Sequence, residues 1–471
     1  MNLKVIAGFA LGPIGTALLS FISLPLITWF FSSEDIGRIA MLQVFTSFFV
    51  LILSLGLDQS FVREYHDVDD KPALFKSALL PGLVLFFLVL FVWLFSPFSI
   101  AKYLFDLENL AVELIVIFCL FMAFISRFLS LILRMQERGV AFSMSQLLPK
   151  ALFLAVILGY MLTISDFTFF HLIVAHSISI IFVAMILLWG TRDTVVKAIV
   201  AKINIKKLQS MLHFGMPLII GGAAFWGLTA MDKLFLRSLS TFSELALYSV
   251  AVSFATAAII FQNIFSTIWA PTVYKWAISG INDEKIDLVT DYVTLAVLLL
   301  FSLAGLFSWL ILYMLPAEYK SVQYILVCCM AYPLLYTLSE ATVVGIGITK
   351  KSGYSMAISV LALVINIVGN YVLIPFWGAK GAAVSTAISF WFFLVLRTEI
   401  SSRIWRSVPR LKMYFMTLTC LVAAITFCFY GELYRNLFVG VWFTLLCLTL
   451  ILYKKHFLMG LLWLKNMKKQ S

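Results

Sequence analysis

Charged side chains are scarce in this sequence. Asp, Glu, Lys and Arg make up 12% of the 471 residues, whereas hydrophobic residues make up 62% and the mean hydropathy is +1.03. In a soluble globular chain about a quarter of the residues are charged, and they cover its surface. So few charges exclude an ordinary water-soluble protein and indicate one that faces lipid over most of its surface.

The sequence also lacks the usual signals of catalysis and of cofactor binding. It contains no glycine-rich phosphate loop, no GxSxG nucleophile motif and no HExxH metal motif. Its six cysteines all fall in long apolar runs without CxxC spacing, so we predict neither a disulfide framework nor a metal site. These absences argue against an enzyme, and we expect no cofactor.

Long apolar runs recur from one end of the chain to the other. Each run can cross a hydrocarbon layer of about 30 Å, which takes about 20 helical residues, and the runs lack the strict alternation of a membrane β-barrel. We therefore predict an all-α integral membrane protein with about fourteen transmembrane helices. The predicted spans are residues 5–31, 36–57, 78–98, 110–133, 147–164, 168–189, 213–238, 244–273, 288–314, 322–344, 354–375, 381–397, 412–430 and 436–453.

The net charge of +11 reflects an asymmetry between the two sides of the membrane. About 26 of the 34 Lys and Arg residues fall on the side of the N-terminus, and about 5 fall on the other side. Positively charged loops face the cytoplasm, so we expect a multi-pass membrane protein with both termini cytoplasmic. The charges are dispersed, which argues against nucleic-acid binding and leaves membrane lipid as their expected partner.

Short matches between the two halves of the chain indicate an internal repeat. Ser33-Glu34 recurs as Ser243-Glu244, and the segment GYML at 159–162 resembles NYVL at 370–373, with offsets of about 210 residues. We therefore predict two six-helix bundles related by a pseudo-two-fold axis normal to the membrane. The predicted parts are an N-terminal bundle (1–190), a basic cytoplasmic linker (191–212), a C-terminal bundle (213–400), and two extra helices with a basic cytoplasmic tail (401–471).

Three segments resemble those of one transporter family. They are GLDQSFVREY at 56–65, MDKLFLR at 231–237 with LYSVA at 247–251, and LIPFWGAKGAA at 373–383. Together, over about residues 1–400, the chain resembles the Wzx-type O-antigen and polysaccharide flippases of the multidrug/oligosaccharidyl-lipid/polysaccharide exporter superfamily. It departs from their pattern at Lys233, where relatives commonly carry Arg, and in its two last spans, which exceed the usual twelve.

This resemblance implies movement of an undecaprenyl-pyrophosphate-linked oligosaccharide from the cytoplasmic to the outer leaflet, as in lipopolysaccharide biosynthesis. The polymerase and the chain-length regulator of the same pathway are then candidate partners. Two alternatives within transport stay open, a cation-coupled drug antiporter and a lipid II flippase of the same superfamily. An integral-membrane O-antigen polymerase or glycosyltransferase is the alternative from another class.

Charged residues inside or beside the spans are the first site candidates, because charge in hydrocarbon is costly. Arg127, deep in the fourth span, either captures the cargo diphosphate or snorkels or pairs with a neighbouring helix. The repeat places Arg127 at the position of Glu340, so these two opposite charges are a candidate gate. In the loop after the second span, Asp58 and Arg63 either cap a helix end or take part in gating.

A second charged cluster lies toward the outer end of the seventh span. Lys233 and Arg237 are one helical turn apart and share a face, with Asp232 about 100° away. The cluster is either a release-side patch for the glycan or the diphosphate, or a set of ion pairs that holds neighbouring spans together.

Uncharged and titratable polar residues complete the set of candidates. Gln262, Asn263 and Asn366 lie at mid-depth, where they serve either as sugar ligands or as interhelical hydrogen bonds. His171 and His176 in the sixth span can titrate near neutral pH, so they are candidates for proton coupling.

The charge asymmetry generates a test of orientation. In a chain whose native cysteines are replaced, Ser165→Cys should react with a membrane-impermeant thiol reagent added outside intact cells, because the loop at 165–167 is predicted to be external. Ser210→Cys, in the basic segment, should react only after the cells are opened. The reverse labelling pattern would show that the orientation is inverted.

Overall fold

The structure, a computed structural model, describes residues 3–163, 166–278, 283–349 and 351–467, which fold as helices without a β-strand. Ser165, used above as a labelling position, lies outside the described residues. The all-α class is confirmed. The helices are α1 (Leu3–Thr28), α2 (Ser33–Ser54), α3 (Leu57–Glu64), α4 (Lys71–Leu94), α5 (Ile100–Phe105), α6 (Leu110–Met135), α7 (Gly139–Thr163), α8 (Phe169–Val200), α9 (Ile205–Leu239), α10 (Phe242–Ile278), α11 (Asp283–Phe307), α12 (Val322–Thr342), α13 (Val344–Ile348), α14 (Ser352–Ile404), α15 (Leu411–Tyr430), α16 (Arg435–Leu452) and α17 (Lys454–Met467).

Thirteen of the described helices are long and apolar enough to cross a membrane. The longest, α14, has 53 residues and would extend about 80 Å as a single helix, more than twice the thickness of the hydrocarbon layer. Its backbone leaves the helical conformation at Gly378 (φ 49°, ψ −126°), so α14 supplies two spans. The predicted number of about fourteen spans is therefore confirmed, and the chain is a multi-pass membrane protein.

A carboxylate holds the break in α14. The backbone N–H of Ala379, the first amide after the break, donates to Oε2 of Glu244 at 2.8 Å. Negative charge is favoured at this position because it is the N-terminal end of a helix. A Cβ atom at Gly378 would lie 2.4 Å from the same oxygen, and its φ is in the left-handed region, so the joint requires glycine.

Several helix boundaries differ from those predicted, and three of them change how the first part of the chain is interpreted. α8 continues to Val200 and α9 begins at Ile205, so the basic segment 191–212 is helical except for residues 201–204. α7 begins at Gly139 rather than at residue 147. The polar residues that precede the apolar part of α7 are therefore helical and belong to the same packed element.

Residues Met1–Leu234 form one compact unit, here called unit 1. Within it α1 packs along α7, and α6 packs against α2, α7 and α8. Phe124 and Phe128, one turn apart on α6, are fully buried, and their rings meet at a centroid distance of 5.2 Å. Burial of these two rings fixes the rotation of α6 about its axis, and with it the direction of Arg127.

The short helix α3 is held against α9 by a close backbone contact within unit 1. Gly56, with φ +67°, turns the chain from α2 into α3 and lies against Gly215 of α9. The hydroxyl of Ser60, which is buried, donates to the carbonyl oxygen of Met211 at 2.7 Å. This contact fixes the position of α3 and therefore that of Asp58 in its first turn.

Residues Phe235–Ser471 form the second compact unit, here called unit 2. α12 packs against α10, α11, α14 and α15, and 89% of its span is buried. The two extra helices, α15 and α16, pack on α11, where Trp442 is fully buried against Gly305. A Cβ atom at Gly305 would lie 2.2 Å from the Trp442 ring, so the two extra helices are part of the packed core of unit 2.

The α3–α9 contact generates a test of stability. Gly215→Ala should destabilise the protein by about 1–3 kcal/mol, because the new Cβ would lie 2.7 Å from the carbonyl oxygen of Gly56. Gly221→Ala in the same helix is the matched control, since a Cβ there meets nothing within 4 Å. Thermal unfolding of the purified variants in detergent measures the difference. Equal unfolding temperatures for the two variants would contradict the close contact.

Candidate functional site

Unit 1 contains a cavity of about 750 Å³ between α2, α6, α7, α8 and α9, with the start of α3 at one end. Its volume falls within the range of about 300–1,000 Å³ that is typical of ligand sites. The lining residues are Gln43, Thr46, Ser47, Val50, Leu51, Ser54, Asp58, Ala123, Ser126, Arg127, Ser130, Phe142, Ser145, Gln146, Pro149, Lys150, Phe153, His176, Ser179, Ile180, Leu187, Gly222, Phe225, Trp226 and Thr229.

More than half of these lining side chains are polar, although the five long helices that carry them are apolar enough to span a membrane. Polar groups inside a membrane protein face a packed interior or a water-filled cavity, because lipid cannot satisfy them. The hydroxyl of Ser126 has no hydrogen-bond partner among the described residues.

Arg127 and Asp58 form an ion pair at the wall of the cavity. Nη2 of Arg127 on α6 donates to Oδ2 of Asp58 on α3 at 2.7 Å, and the side-chain amide of Gln59 donates to the same oxygen at 3.0 Å. The Asp58 side chain is 12% exposed, whereas that of Arg127 is 41% exposed. The Asp58 carboxylate is therefore largely shielded by its hydrogen bonds to Arg127 and Gln59, while part of the Arg127 guanidinium still faces the cavity.

Lys150 brings a second cation to the cavity, and the sequence analysis missed it. It was counted with the loop charges of the N-terminal side, although it lies three residues after the start of the predicted fifth span, 147–164. Since α7 begins at Gly139, Lys150 lies eleven residues into the helix, about 16 Å along its axis. Its ammonium donates to the hydroxyl of Ser20 on α1. The available signal was the mostly polar segment SMSQ at 143–146, which ends one helical turn before Lys150 and continues the helix on its cavity side.

The two histidines of the sixth span have different surroundings. His176 lines the cavity, with its ring edge-on to that of Phe153 at a centroid distance of 6.0 Å. His171 is at the start of α8, where its Nδ1 accepts a hydrogen bond from the backbone N–H of Thr168 at 3.2 Å. His171 therefore caps a helix, and only His176 is placed at the cavity.

Aromatic side chains from α7 and α9 line part of the cavity. The indole Nε1 of Trp226 on α9 donates to the hydroxyl of Ser47 on α2 at 2.9 Å, and its ring lies 4.7 Å from that of Phe48. Phe225 and Phe153 also line the cavity. Rings beside hydroxyl and amide groups provide both the apolar faces and the hydrogen bonds that a sugar ring can use.

Glu340 belongs to a separate polar cluster inside unit 2. Its carboxylate accepts a hydrogen bond from the hydroxyl of Ser266 and contacts Tyr336. Arg397 also contacts Tyr336 and donates to the hydroxyl of Ser339 at 3.1 Å. Arg397 had been counted among loop residues, but α14 continues past it to Ile404. The gate expected from Arg127 and Glu340 stays a prediction, and each of the two has a partner within its own unit.

The predicted amide candidates also lie in unit 2. Asn366 is fully buried and donates to the Thr386 hydroxyl at 3.2 Å, which links the two halves of α14. Gln262 is 8% exposed and contacts Tyr332, and the backbone oxygen of Asn263 accepts from Thr267 at 2.7 Å. The geometry of Asn366 is that of an interhelical hydrogen bond, one of its two predicted roles.

The charged cluster of the seventh span lies in the last turns of α9. Asp232 is 1% exposed, and the guanidinium of Arg237 lies over the ring of Phe242 at 4.6 Å. None of Asp232, Lys233 and Arg237 lines the cavity of unit 1.

Arg63 also lies outside the cavity of unit 1, where its guanidinium is 4.1 Å from the ring centre of Phe214. Across the described ranges, no group of three or more His, Cys, Asp or Glu side chains is arranged to hold a metal ion.

A sequence relative and two solved structures resemble this chain. Over 276 residues it is 22% identical to the probable low-salt glycan biosynthesis flippase Agl15 of Haloferax volcanii. The match covers 56% of this chain and 58% of Agl15, so the chain spans less than two thirds of the length of this relative. Lipid II flippase MurJ in an inward closed conformation matches with a TM-score of 0.65 and 14% identity over 98% of this chain and 100% of that one. An inward-facing multidrug resistance MATE transporter of the MOP superfamily matches with a TM-score of 0.58 and 14% identity. The match covers 86% of this chain and 98% of that one.

The two structural matches show that the fold is that of MurJ and the MATE transporters. The model of one sequence family, described as polysaccharide biosynthesis protein, matches residues 3–277, more than half of the chain and all of the cavity of unit 1. This agrees with the resemblance carried by the motifs. The chain belongs to the polysaccharide biosynthesis protein family.

Proposed function

We propose that this chain is a flippase for a lipid-linked oligosaccharide. Its cargo is an undecaprenyl-pyrophosphate-linked repeat unit of O-antigen or another polysaccharide, which it moves from the cytoplasmic to the outer leaflet of a bacterial inner membrane by alternating access. The membership of a polysaccharide biosynthesis family and the name of the Haloferax relative, a glycan biosynthesis flippase, support this proposal.

The observation that carries the proposal is the pair of cations in a polar cavity at membrane depth. Arg127 and Lys150 both line the cavity, and among the described residues only one carboxylate, that of Asp58, lines it with them. A diphosphate has several anionic oxygens, and charge-assisted hydrogen bonds to it are about twice as strong as neutral ones. The cavity therefore favours an anionic group, while the polyprenyl tail of such a cargo can remain in lipid.

Asp58 makes the binding of an anion reversible. Without cargo it pairs with Arg127 at 2.7 Å, so the guanidinium is not left unpaired inside the membrane protein. A phosphate that approaches Arg127 competes with this carboxylate, and the ion pair re-forms when the cargo leaves. In this mechanism the net gain on binding is smaller than a full Arg–phosphate interaction, which suits a transporter that must release what it binds.

The rest of the cavity suits a glycan. Hydroxyl and amide groups from α2, α6 and α7 supply hydrogen bonds, and Trp226 and Phe153 supply apolar faces. A polymerase and a chain-length regulator would act on the cargo after its release. Lys233 and Arg237 remain candidates for a release-side patch.

Among the alternatives, the cargo of a lipid II flippase is chemically the most similar to the proposed cargo. It has the same polyprenyl diphosphate and differs in its sugars. Two cations in one cavity argue against a drug antiporter of the same fold, since many drugs are cationic and would be repelled. Loss of an integral-membrane polymerase would instead leave complete units on the outer leaflet, and loss of a glycosyltransferase would leave incomplete units on the cytoplasmic leaflet.

The test compares variants of the cavity cations with matched controls. Arg127→Ala and Lys150→Met should lower surface polysaccharide and leave lipid-linked units on the cytoplasmic leaflet. Each loses a charge-assisted interaction worth about 1.5–3 kcal/mol, or about 10–100-fold in rate. Arg127→Lys should restore part of the export. Arg192→Ala and Lys102→Met, at exposed positions outside the cavity, are the controls and should export normally.

The same measurements include membrane abundance of each variant. Normal polysaccharide from Arg127→Ala and Lys150→Met at normal abundance would refute the proposed role of the cavity. Loss of both polysaccharide and protein would assign the two cations to stability instead. Lys233→Ala and Arg237→Ala, assayed alongside, show whether the end of α9 also contributes.

A further inference from the structure

Unit 2 contains a second polar cavity, of about 600 Å³, at the ends of its helices. It lies beside the loop between α14 and α15. This loop and the helix ends beside it carry several basic residues and are predicted to lie on the same side of the membrane as the N-terminus. The lining residues are Thr290, Asp291, Thr294, Glu399, Ser407, Val408, Pro409, Arg410, Leu411, Lys412, Met413, Tyr414 and Tyr453. These come from α11, the end of α14, α15 and the residue after α16.

The charges in this cavity are balanced in number. Arg410 and Lys412 are the cations, and Glu399 and Asp291 are the anions. Arg410 is paired with Glu399, with Nε 2.5 Å from Oε1. Asp291 is 45% exposed, and its contact with His456 is longer, at 3.5 Å. Lys412 and Asp291 therefore keep bonding capacity for a ligand.

Lys412 is held in place with one side open. Its ammonium donates to the carbonyl oxygen of Leu452 at 2.7 Å and lies 3.6 Å from the ring centre of Tyr453, which is buried. An ammonium has three donors, so at least one remains for a phosphate oxygen. The fixed position lowers the entropy that such an interaction would otherwise cost.

An apolar stripe leads away from the cavity along α15. Leu411 lines the cavity, and Leu411, Phe415, Leu418 and Val422 follow at helical spacing on one face. Their exposed fractions are 83%, 65%, 41% and 52%, in that order. In a membrane this face meets acyl chains, so the cavity and the stripe together form a polar pocket that continues into a lipid-facing surface.

We propose that this cavity binds the headgroup of a zwitterionic phospholipid, phosphatidylethanolamine, with an acyl chain along the α15 stripe. The phosphate lies at Lys412, and the ammonium lies at Asp291. A lipid with only a negative headgroup would bring the same phosphate to Lys412 but no cation to pair with Asp291. The bound lipid ties α15, α16 and α11 together at this face, which gives the two extra helices a lipid-dependent contact with the rest of unit 2.

The test uses the delipidated full-length protein and native mass spectrometry. Phosphatidylethanolamine should bind about tenfold more tightly than phosphatidylglycerol with the same acyl chains. Lys412→Met should weaken the binding of both lipids, and Lys412→Arg should keep it. Asp291→Asn should weaken only phosphatidylethanolamine, and so remove the preference. Lys197→Met, an exposed lysine in unit 1, is the control and should bind both lipids as the unmodified protein does.

Three results would overturn the proposal. Equal binding of the two lipids would mean that the headgroup is not recognised. Unchanged binding in both Lys412→Met and Asp291→Asn, each eluting as a single gel-filtration peak, would place the lipid elsewhere. Displacement of the lipid by soluble phosphoethanolamine at equal concentration would show that the stripe adds nothing. None of these results depends on transport activity, so they are separate from the test of the flippase proposal.

Discussion

The cost of placing polar groups in hydrocarbon is the constraint on which the rest of this structure depends. It requires every backbone amide of a span to be paired, so the chain is helical, and it confines charged side chains to places where protein or water can meet them. In unit 1 that place is the cavity between α2, α6, α7, α8 and α9. The outer surface of the same helices carries large exposed apolar side chains, such as Phe118 on α6 and Ile186 on α8.

The ion pair of Arg127 with Asp58 shows how that cost is met at the site. Asp58 can reach Arg127 only because α3 folds back after Gly56 and is fixed by the contact of Gly56 with Gly215. The pair neutralises the guanidinium in the absence of cargo, and Lys150 adds a cation whose neighbour is the hydroxyl of Ser20. An anion that enters the cavity meets one compensated cation and one that has no carboxylate beside it among the lining residues.

Much of the fold could be predicted from the sequence, because span length and hydropathy are local properties. The break in α14 was predicted as a loop between 375 and 381, where proline and two glycines are close together. Arg127 was found because it is surrounded by apolar residues. Lys150 was missed because it lies close to the predicted start of its span, at 147, and only the observed start of α7 at Gly139 places it deep in a helix that packs against α1. The pairing of Asp58 with Arg127 could not be predicted either, since it depends on a tertiary contact between α3 and α9.

The central claim is that the cations of the unit 1 cavity recognise the diphosphate of the cargo. The most direct measurement reconstitutes the purified chain in liposomes with fluorescent oligosaccharides linked to polyprenol by either a diphosphate or a monophosphate, and follows their leaflet with an impermeant quencher. We expect faster movement of the diphosphate-linked cargo, and loss of this advantage in Lys150→Met. Equal rates for the two cargoes in the unmodified protein, or an advantage that persists in Lys150→Met and in Arg127→Ala, would contradict the claim.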